Sequence, residues 1–257
     1  METFLLIHFL LPLAPHLCPH IPGEETLQAW ANRSPALVRD VWLIILPLVL
    51  TDLSFYVAHR LAHKIPLFWR FHKAHHSAET LTPFTAQRSH FLDVLYFRAF
   101  HHAASAAALL LTQKVVPGNA LFLSAGILLG QWLMRIGNAL NHSPIQVTYG
   151  RVLGWVFMNS TLHAVHHGRS LHHIDKNFGV LFSFFDRVFS TYYRPAPTES
   201  IQLGLSDHSE SAYHSLFGFY WTPFRTGSAN SRTNQGGRRI VEKKETVLFG
   251  HTFLTEE

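Results

Sequence analysis

The chain has 257 residues, enough for one large domain or two small ones. Charged residues make up only 14% of it and apolar residues 47%, which is typical of a membrane protein with sizeable polar parts and not of an ordinary soluble domain. The net charge of +5 is spread along the chain without a basic patch interleaved with aromatics, which argues against a nucleic-acid partner. The single cysteine, Cys18, excludes disulfide frameworks and thiolate metal sites.

Four apolar stretches predict helices that cross a membrane. The first lacks the basic residues that begin a signal peptide, so we expect it to be retained as a short hydrophobic helix. The second is about the length of a spanning helix and shows no two-residue alternation. The last two form a hairpin around a Pro-Gly-Asn turn at 117–119. The four stretches are residues 4–14, 41–57, 94–112 and 115–136.

The polar regions between these stretches predict the topology. Basic residues are concentrated in 59–93 and after residue 142, on one side of the predicted spans, which the positive-inside rule assigns to the cytoplasm. We therefore predict an all-α, multi-pass integral membrane protein, of a bacterial inner membrane or the endoplasmic reticulum, with a cytosolic histidine-rich helical cap. Its predicted parts are an N-terminal hydrophobic segment and loop (1–40), a catalytic domain (41–197) and a polar C-terminal tail (198–257).

Histidine is unusually frequent, at 20 residues, and eight of the histidines form three clusters. On a helix, residues three and four apart share one face, so each cluster presents two or three imidazoles together. An adjacent pair diverges by roughly 100° around the axis, so its two rings can address different metals. The clusters are His59 and His63, then His72, His75 and His76, then His163, His166 and His167.

Eight clustered imidazoles are too many for one tetrahedral zinc and suit a pair of first-row metals with a position left open. Spacing does not choose among zinc, iron, copper and nickel, although an open redox metal beside a membrane suggests iron and O2. His142, after the predicted hairpin, is one more candidate ligand.

Four residues near the clusters are candidates for holding the ligands in place. Asp52 lies seven residues before His59 on the same helical face; it either orients an imidazole or caps a kink at Pro47. Asn177 either hydrogen-bonds a liganding histidine or serves as a turn asparagine. The other two candidates are His90 and Asn138. For His172 and His173 we expect a role at the surface or in a lid over the substrate.

The histidine pattern resembles the fatty acid hydroxylase/sterol desaturase superfamily of membrane oxidases. The order is HxxxH, HxxHH, a middle histidine after a membrane hairpin and HxxHH, and flanking words at 69–77, 176–179 and 186–189 also match. The resemblance runs from about residue 41 to 194. In some members the middle histidine is one of a pair four residues apart, whereas here the partner position is Asn138. The words around Gly168 and Asp175 are similar to the ether-lipid monooxygenase branch.

The resemblance implies four transmembrane helices under a cytosolic cap, and a dinuclear centre of two iron ions, for which zinc can substitute in purified protein. It implies O2 as co-substrate, a lipid substrate in the membrane, and a separate electron donor, cytochrome b5-like or a ferredoxin with its reductase. The reaction would be hydroxylation or desaturation of a sterol, fatty acyl or ether lipid, with no catalytic residue beyond the metal ligands. The implied ligands are His59, His63, His72, His75, His76, His142, His163, His166 and His167.

Two other functions are open to a histidine-rich membrane protein. A metal transporter or store would distribute its ligands along the spans, whereas these clusters lie at one membrane face. A non-redox zinc hydrolase would need fewer ligands and a glutamate base, as in HExxH, and Glu79 is a poor candidate for that base. The sequence therefore favours a lipid oxidase.

Overall fold

The computed structural model describes residues 23–116, 120–150, 152–225, 244–248 and 251–255. The helix predicted at 4–14 and the turn predicted at 117–119 lie outside the described residues. Most of the predicted tail beyond residue 225 also lies outside them. The main helices are α1 (Glu24–Arg33), α2 (Ala36–Lys64), α3 (Pro66–His76), α4 (Phe91–Val115) and α5 (Ala120–Asn141). Shorter helices follow: α6 (Leu153–Val156), α7 (Ser160–His166), α8 (Phe184–Val188) and α9 (Leu216–Trp221).

The predicted helical architecture is confirmed for these elements, with two additions. Helix α1 replaces the loop expected before residue 35; two glutamates begin it and an arginine ends it, which suits the helix dipole. Strands β1 (Lys244–Leu248) and β2 (His251–Thr255) form an antiparallel pair in which Lys244 faces Thr255. Short 3₁₀ turns lie at Thr85–Gln87, Glu210–Tyr213 and Thr222–Phe224.

Two helices in the described part of the chain are long and apolar enough to cross a membrane. They are α2 and the Phe91–Thr112 portion of α4. Helix α2 is 29 residues long and includes Pro47. The same helix therefore contains the predicted apolar stretch and the first histidine cluster.

The long helices α2, α4 and α5 pack on one another. Gly126 of α5 allows a close approach to α2, because a Cβ there would lie 2.9 Å from the Cα of Ile44. Between α4 and α5, Leu109, Leu123 and Ile127 are fully buried. Near the end of α2 that carries His59 and His63, the Tyr96 hydroxyl of α4 donates to the carbonyl of Ala58 at 2.9 Å.

A sharp turn separates α2 from α3. Ile65 is extended, as expected for a residue before proline, and Pro66 begins α3. The turn folds α3 back so that its histidines face those of α2.

Residues 201–225, which the sequence placed in the tail, pack against α3. Leu205 and Tyr213 form an apolar core with Trp69, and buried Lys73 donates to Asp207 at 2.6 Å. The boundary predicted at residue 197 therefore does not mark the end of the packed region.

Candidate metal centre

The nine histidines singled out in the sequence converge, all buried, in two groups. In each group, one nitrogen of each imidazole lies within 4.8 Å of one nitrogen of every other member. The group of five is His59, His63, His72, His76 and His166. The group of four is His75, His142, His163 and His167.

The adjacent pairs divide between the groups as their helical geometry predicts. His75 and His76 end α3 and enter different groups, and so do His166 and His167 at the end of α7. Helix α7 begins at the cap Asn159, whose side chain accepts from the backbone N–H of Leu162 at 3.0 Å. The two groups therefore lie side by side, each built from several elements.

Backbone carbonyls orient three of the imidazoles. The Nδ1 atoms of His59 and His166 lie 2.8 Å from the carbonyl oxygens of Phe178 and Lys176, and that of His75 lies 3.1 Å from the carbonyl of Arg88. Because a carbonyl only accepts, Nδ1 carries the proton in each ring, and Nε2 is left with a lone pair. That is the tautomer in which Nε2 can bind a metal.

Carboxylates lie beside two further imidazoles in the group of five, and one of them is within hydrogen-bond distance. His72 Nδ1 lies 3.1 Å from Asp93 Oδ2, in the first turn of α4. His63 Nδ1 lies 3.6 Å from Asp175 Oδ1, while Lys64 donates to the other oxygen of Asp175 at 2.8 Å. Neither aspartate could be assigned from the histidine spacing. A carboxylate just inside an apolar helix was the available signal for Asp93.

The remaining nitrogens fit a pair of metal ions. Nε2 of His59 and of His166, and both nitrogens of His167, are buried without a hydrogen-bond partner. Other Nε2 atoms face one another, at 3.1 Å between His63 and His76 and 2.9 Å between His142 and His163. Unpartnered buried nitrogens are costly, and a shared cation in each group would satisfy them.

The electrostatic environment keeps these imidazoles neutral. Burial, reinforced by His72, lowers the pKa of His75 to about 4, and burial with His75 lowers that of His142 to about 2. Burial also lowers the pKa values of His163 and His166 well below the ordinary value. Neutral imidazole is the form that coordinates metal.

Asp52 does not orient an imidazole. Its buried carboxylate accepts from the backbone N–H groups of Leu181 and Phe182, both at 3.0 Å. Seven residues span about 10 Å along a helix, so a shared face with His59 does not bring the two side chains together. Nor does it cap its own helix, because both carboxylate oxygens accept from the backbone of the segment at 181–182.

The side chains of His90 and Asn138 hydrogen-bond to backbone groups and not to an imidazole of either histidine group. His90 caps α4 by accepting from the N–H of Leu92 at 3.2 Å, and its Nε2 donates to the carbonyl of Tyr220. Asn138 donates to the carbonyl of Ala86 at 3.4 Å. Both predicted roles beside the ligands are therefore corrected to backbone hydrogen bonding.

Asn177 acts on the backbone that holds the histidines, and not on a histidine itself. Its amide donates to the carbonyls of Leu162 and Tyr193 at 2.9 and 2.8 Å and accepts from the N–H of Tyr193. Its neighbours Lys176 and Phe178 supply the carbonyls that orient two imidazoles. Its positive φ of 54° fits the alternative of a turn asparagine, and its side chain also pins this loop.

Asp186 is the second residue that pins the loop. Its carboxylate accepts from the N–H groups of Phe178 and Gly179 at 2.7 and 3.0 Å, and from the Thr191 hydroxyl at 2.7 Å. Burial raises the pKa of Asp186. In the sequence, Asp186 belonged to one of the flanking segments that match the family, and no role was assigned to it.

The sequence of this chain is similar to those of known proteins. The fatty acid hydroxylase family model matches residues 44–191. An ornithine lipid hydroxylase of Rhizobium tropici is 31% identical over 206 residues, which cover 80% of this chain and 55% of that protein. An alkylglycerol monooxygenase of Caenorhabditis elegans is 32% identical over 152 residues, covering 59% and 27%. No solved structure gives a significant match.

A sterol desaturase of Gibberella zeae is 28% identical over 184 residues, which cover 71% of this chain and 46% of that protein. The chain thus spans between about a quarter and just over half of the length of these relatives. The family match covers more than half of the chain and includes all nine histidines. The chain belongs to the fatty acid hydroxylase family.

Proposed function

We propose that this protein is a membrane-bound, O2-dependent oxidase that hydroxylates or desaturates a lipid. The observation that carries the proposal is the convergence of nine buried histidines into two groups with unpartnered nitrogens, next to apolar helices. The relatives agree in kind, because their names describe a lipid hydroxylase, a monooxygenase and a sterol desaturase.

The nine histidines are the proposed ligands of two iron ions, five for one ion and four for the other, and zinc can take their place in purified protein. When bound, the ions would supply the activation of O2 and the attack on an unactivated C–H bond. Backbone carbonyls and the Asp93 carboxylate hold the Nδ1 protons of His59, His75, His166 and His72, and so aim the Nε2 atoms of these rings inward. No other side chain is required as an acid or base.

We propose that an apolar groove beside the centre receives part of a lipid chain. It has a volume of about 180 Å³ and lies between α3 and the start of α4. Asp93, which holds His72, forms part of its wall, so a chain in the groove would lie just behind a proposed ligand. The apolar side chains exclude water from this approach. The groove is lined by Leu67, Phe68, Phe71, Leu92, Asp93 and Tyr96.

The proposed topology has four spans, made by residues 4–14, α2, α4 and α5, with the histidine groups on the cytoplasmic side. His59 and His63 lie in the last two turns of α2, which supports a centre at one end of the spans. A test uses Ser200→Cys, at an exposed position in the cap, in a chain whose Cys18 is replaced by alanine. A membrane-impermeant maleimide should label the introduced cysteine only when it is added on the cytoplasmic side. Labelling from the opposite side would contradict the proposed orientation.

Hydroxylation of a C–H bond consumes O2, two electrons and two protons, and yields the hydroxylated lipid and water. We propose that the electrons come from a separate donor, cytochrome b5-like or a ferredoxin with its reductase. O2 consumption that depends on both lipid and reductant would support this. Metal flux in proteoliposomes without O2 consumption would instead support a transporter, and lipid hydrolysis a zinc hydrolase.

The decisive experiment compares lipids by mass spectrometry in cells that express the wild type or His166→Ala. The wild type should produce a lipid that gains one oxygen or loses two hydrogens, and His166→Ala should reduce that product at least about a hundredfold because it removes a proposed ligand. The control is His214→Ala, which changes an exposed histidine outside both groups. Full activity of His166→Ala, or fewer than about one and a half metals per purified wild-type chain, would contradict the proposal.

A further inference from the structure

A third group of metal-binding side chains lies outside the nine-histidine centre. It consists of His172, His173 and Glu199, whose ligand atoms lie within 4.8 Å of one another. The Nε2 atoms of His172 and His173 lie 3.1 and 2.6 Å from the same carboxylate oxygen, Glu199 Oε1. Two neighbouring imidazoles thus turn towards one oxygen.

The group combines fixed and accessible ligands. The His173 side chain is fully buried, whereas 57% of the His172 side chain and 18% of the Glu199 side chain are exposed. His173 therefore cannot turn away, and an ion can enter from the His172 side. Such an arrangement is partly organised before the ion arrives.

Two further donors hold the Glu199 carboxylate. The N–H of Ala196 donates to Oε2 at 3.0 Å, and the Tyr193 hydroxyl lies 3.0 Å from Oε2 and 3.1 Å from Oε1. These contacts fix the carboxylate and leave Oε1 directed at the two imidazoles. Hydrogen bonding to His173, followed by the Ala196 N–H, lowers the pKa of Glu199 to about 2, so the carboxylate is charged at neutral pH.

We propose that His172, His173 and Glu199 form a separate binding site for one divalent transition-metal ion of the zinc class. Two imidazoles and a carboxylate are a donor set that zinc accepts, with water completing the tetrahedron. Ligands about 2.1 Å from a tetrahedral ion lie about 3.4 Å apart, so the Nε2 and Oε1 atoms need to separate by less than about 1 Å.

An ion here would tie two segments together. The turn that carries His172 and His173 ends at Asp175, whose carboxylate lies beside His63 and Lys64. Glu199 belongs to the segment that follows Tyr193. The site would thus hold in place the turn that presents Asp175 to the nine-histidine centre.

The test is titration of the purified full-length protein with Co²⁺, after its nine-histidine centre has been loaded, with ions counted by mass spectrometry and the Co²⁺ absorption band recorded. Wild type should bind one more ion per chain than His172→Ala, whose mutated position is exposed. Glu199→Gln should lower the affinity at least about tenfold. The matched control is His214→Ala, because His214 lies 3.5 Å from the exposed Glu79 without a second imidazole.

Equal ion counts and equal absorption in wild type and His172→Ala would overturn the proposal and leave the group as a hydrogen-bonded cluster. Unchanged affinity in Glu199→Gln would also overturn it. The readout is a difference between variants that share the same nine-histidine centre. If the proposed oxidase function is wrong, all variants are affected alike. That result is distinguishable from failure of the proposed His172, His173 and Glu199 site, which removes the difference between variants.

Discussion

The orientation of four of the proposed ligands depends on the oxygen atom that accepts from Nδ1. His59, His75 and His166 use carbonyl oxygens, which are fixed by the backbone, whereas His72 uses the carboxylate of Asp93. A carboxylate adds negative charge behind the ring and makes Nε2 a stronger donor to a metal. This single side-chain contact is therefore open to a direct test by substitution.

We predict that Asp93→Asn weakens metal binding by roughly 10-fold to 100-fold, because the substitution removes the charge while keeping the shape. The measurement is competition with a chelator of known affinity. Asp40→Asn, at a half-buried position that pairs with Arg39 near the start of α2, is the matched control and should behave like the wild type. Equal affinities of Asp93→Asn and wild type would show that His72 is oriented by other contacts.

The group of four has one imidazole fewer than the group of five, and the position four residues before His142 is Asn138. We predict that Asn138→His slows the loss of the more labile ion to a chelator, since residues four apart share a helical face. Asn138→Gln adds length without an imidazole and should lose the ion at the wild-type rate. Identical release kinetics for all three proteins would contradict a fifth ligand at this position.

At the scale of elements, the loop from Asn177 to Asp186 connects the apolar helices to the centre. Asp52 of α2 accepts from its N–H groups at 181 and 182, and Asn141 at the end of α5 donates to the carbonyl of Val180 at 2.8 Å. The same loop presents the carbonyl that orients His59. Helix packing and ligand orientation are therefore coupled through this loop.

We predict that Asp186→Ala lowers both thermal stability and metal affinity. The substitution leaves the buried N–H groups of Phe178 and Gly179 without acceptors, at a cost of about 1–3 kcal/mol each. Melting temperature and chelator competition measure the two effects. Asp40→Asn, which affects only a partly exposed ion pair with Arg39, is the control and should change neither quantity. Loss of stability without loss of metal affinity would separate the loop from the centre.

The packing of α5 on α2 gives a second test at this scale. Gly126→Ala should lower the melting temperature, because its Cβ would lie 2.9 Å from backbone atoms of α2 that cannot move without separating the helices. Gly154→Ala is the matched control, since no atom lies within 4 Å of its added Cβ. Equal melting temperatures for the two variants would show that the helices can shift apart freely.

At the scale of the whole molecule, the buried histidines link stability to pH. The folded protein holds the pKa of His75 at about 4 and that of His142 at about 2, whereas the ordinary value is 6.5. Below pH 6.5 the unfolded chain therefore binds more protons than the folded protein, and the free energy of unfolding falls as the pH is lowered.

We predict that the melting temperature of metal-free protein in detergent is highest above about pH 7 and decreases steadily towards about pH 4. His75→Gln removes one of the responsible groups and should show a shallower decrease. A melting temperature that stays constant across this range would contradict neutral burial of these imidazoles.

Several features could be predicted from the sequence because they depend on local periodicity. The division of His75 from His76 follows from the angle between adjacent residues of one helix, and the apolar runs follow from composition. Asp93 and Asp175 could not be found in this way, because each reaches its histidine from a different segment. For Asp52 the prediction was wrong in the other direction. Asp52 shares a helical face with His59, but the two residues are two turns apart and their side chains do not meet.

The sequence by itself determined which nine histidines come together, that they are spaced on helical faces, and that apolar helices accompany them. Only the tertiary structure decided that they divide into five and four, and which carbonyls and carboxylates hold them. It also brought Glu199 to His172 and His173. The physical reason is that spacing fixes neighbours along one helix, whereas contacts between α2, α3, α7 and the 176–186 loop depend on how the whole chain packs.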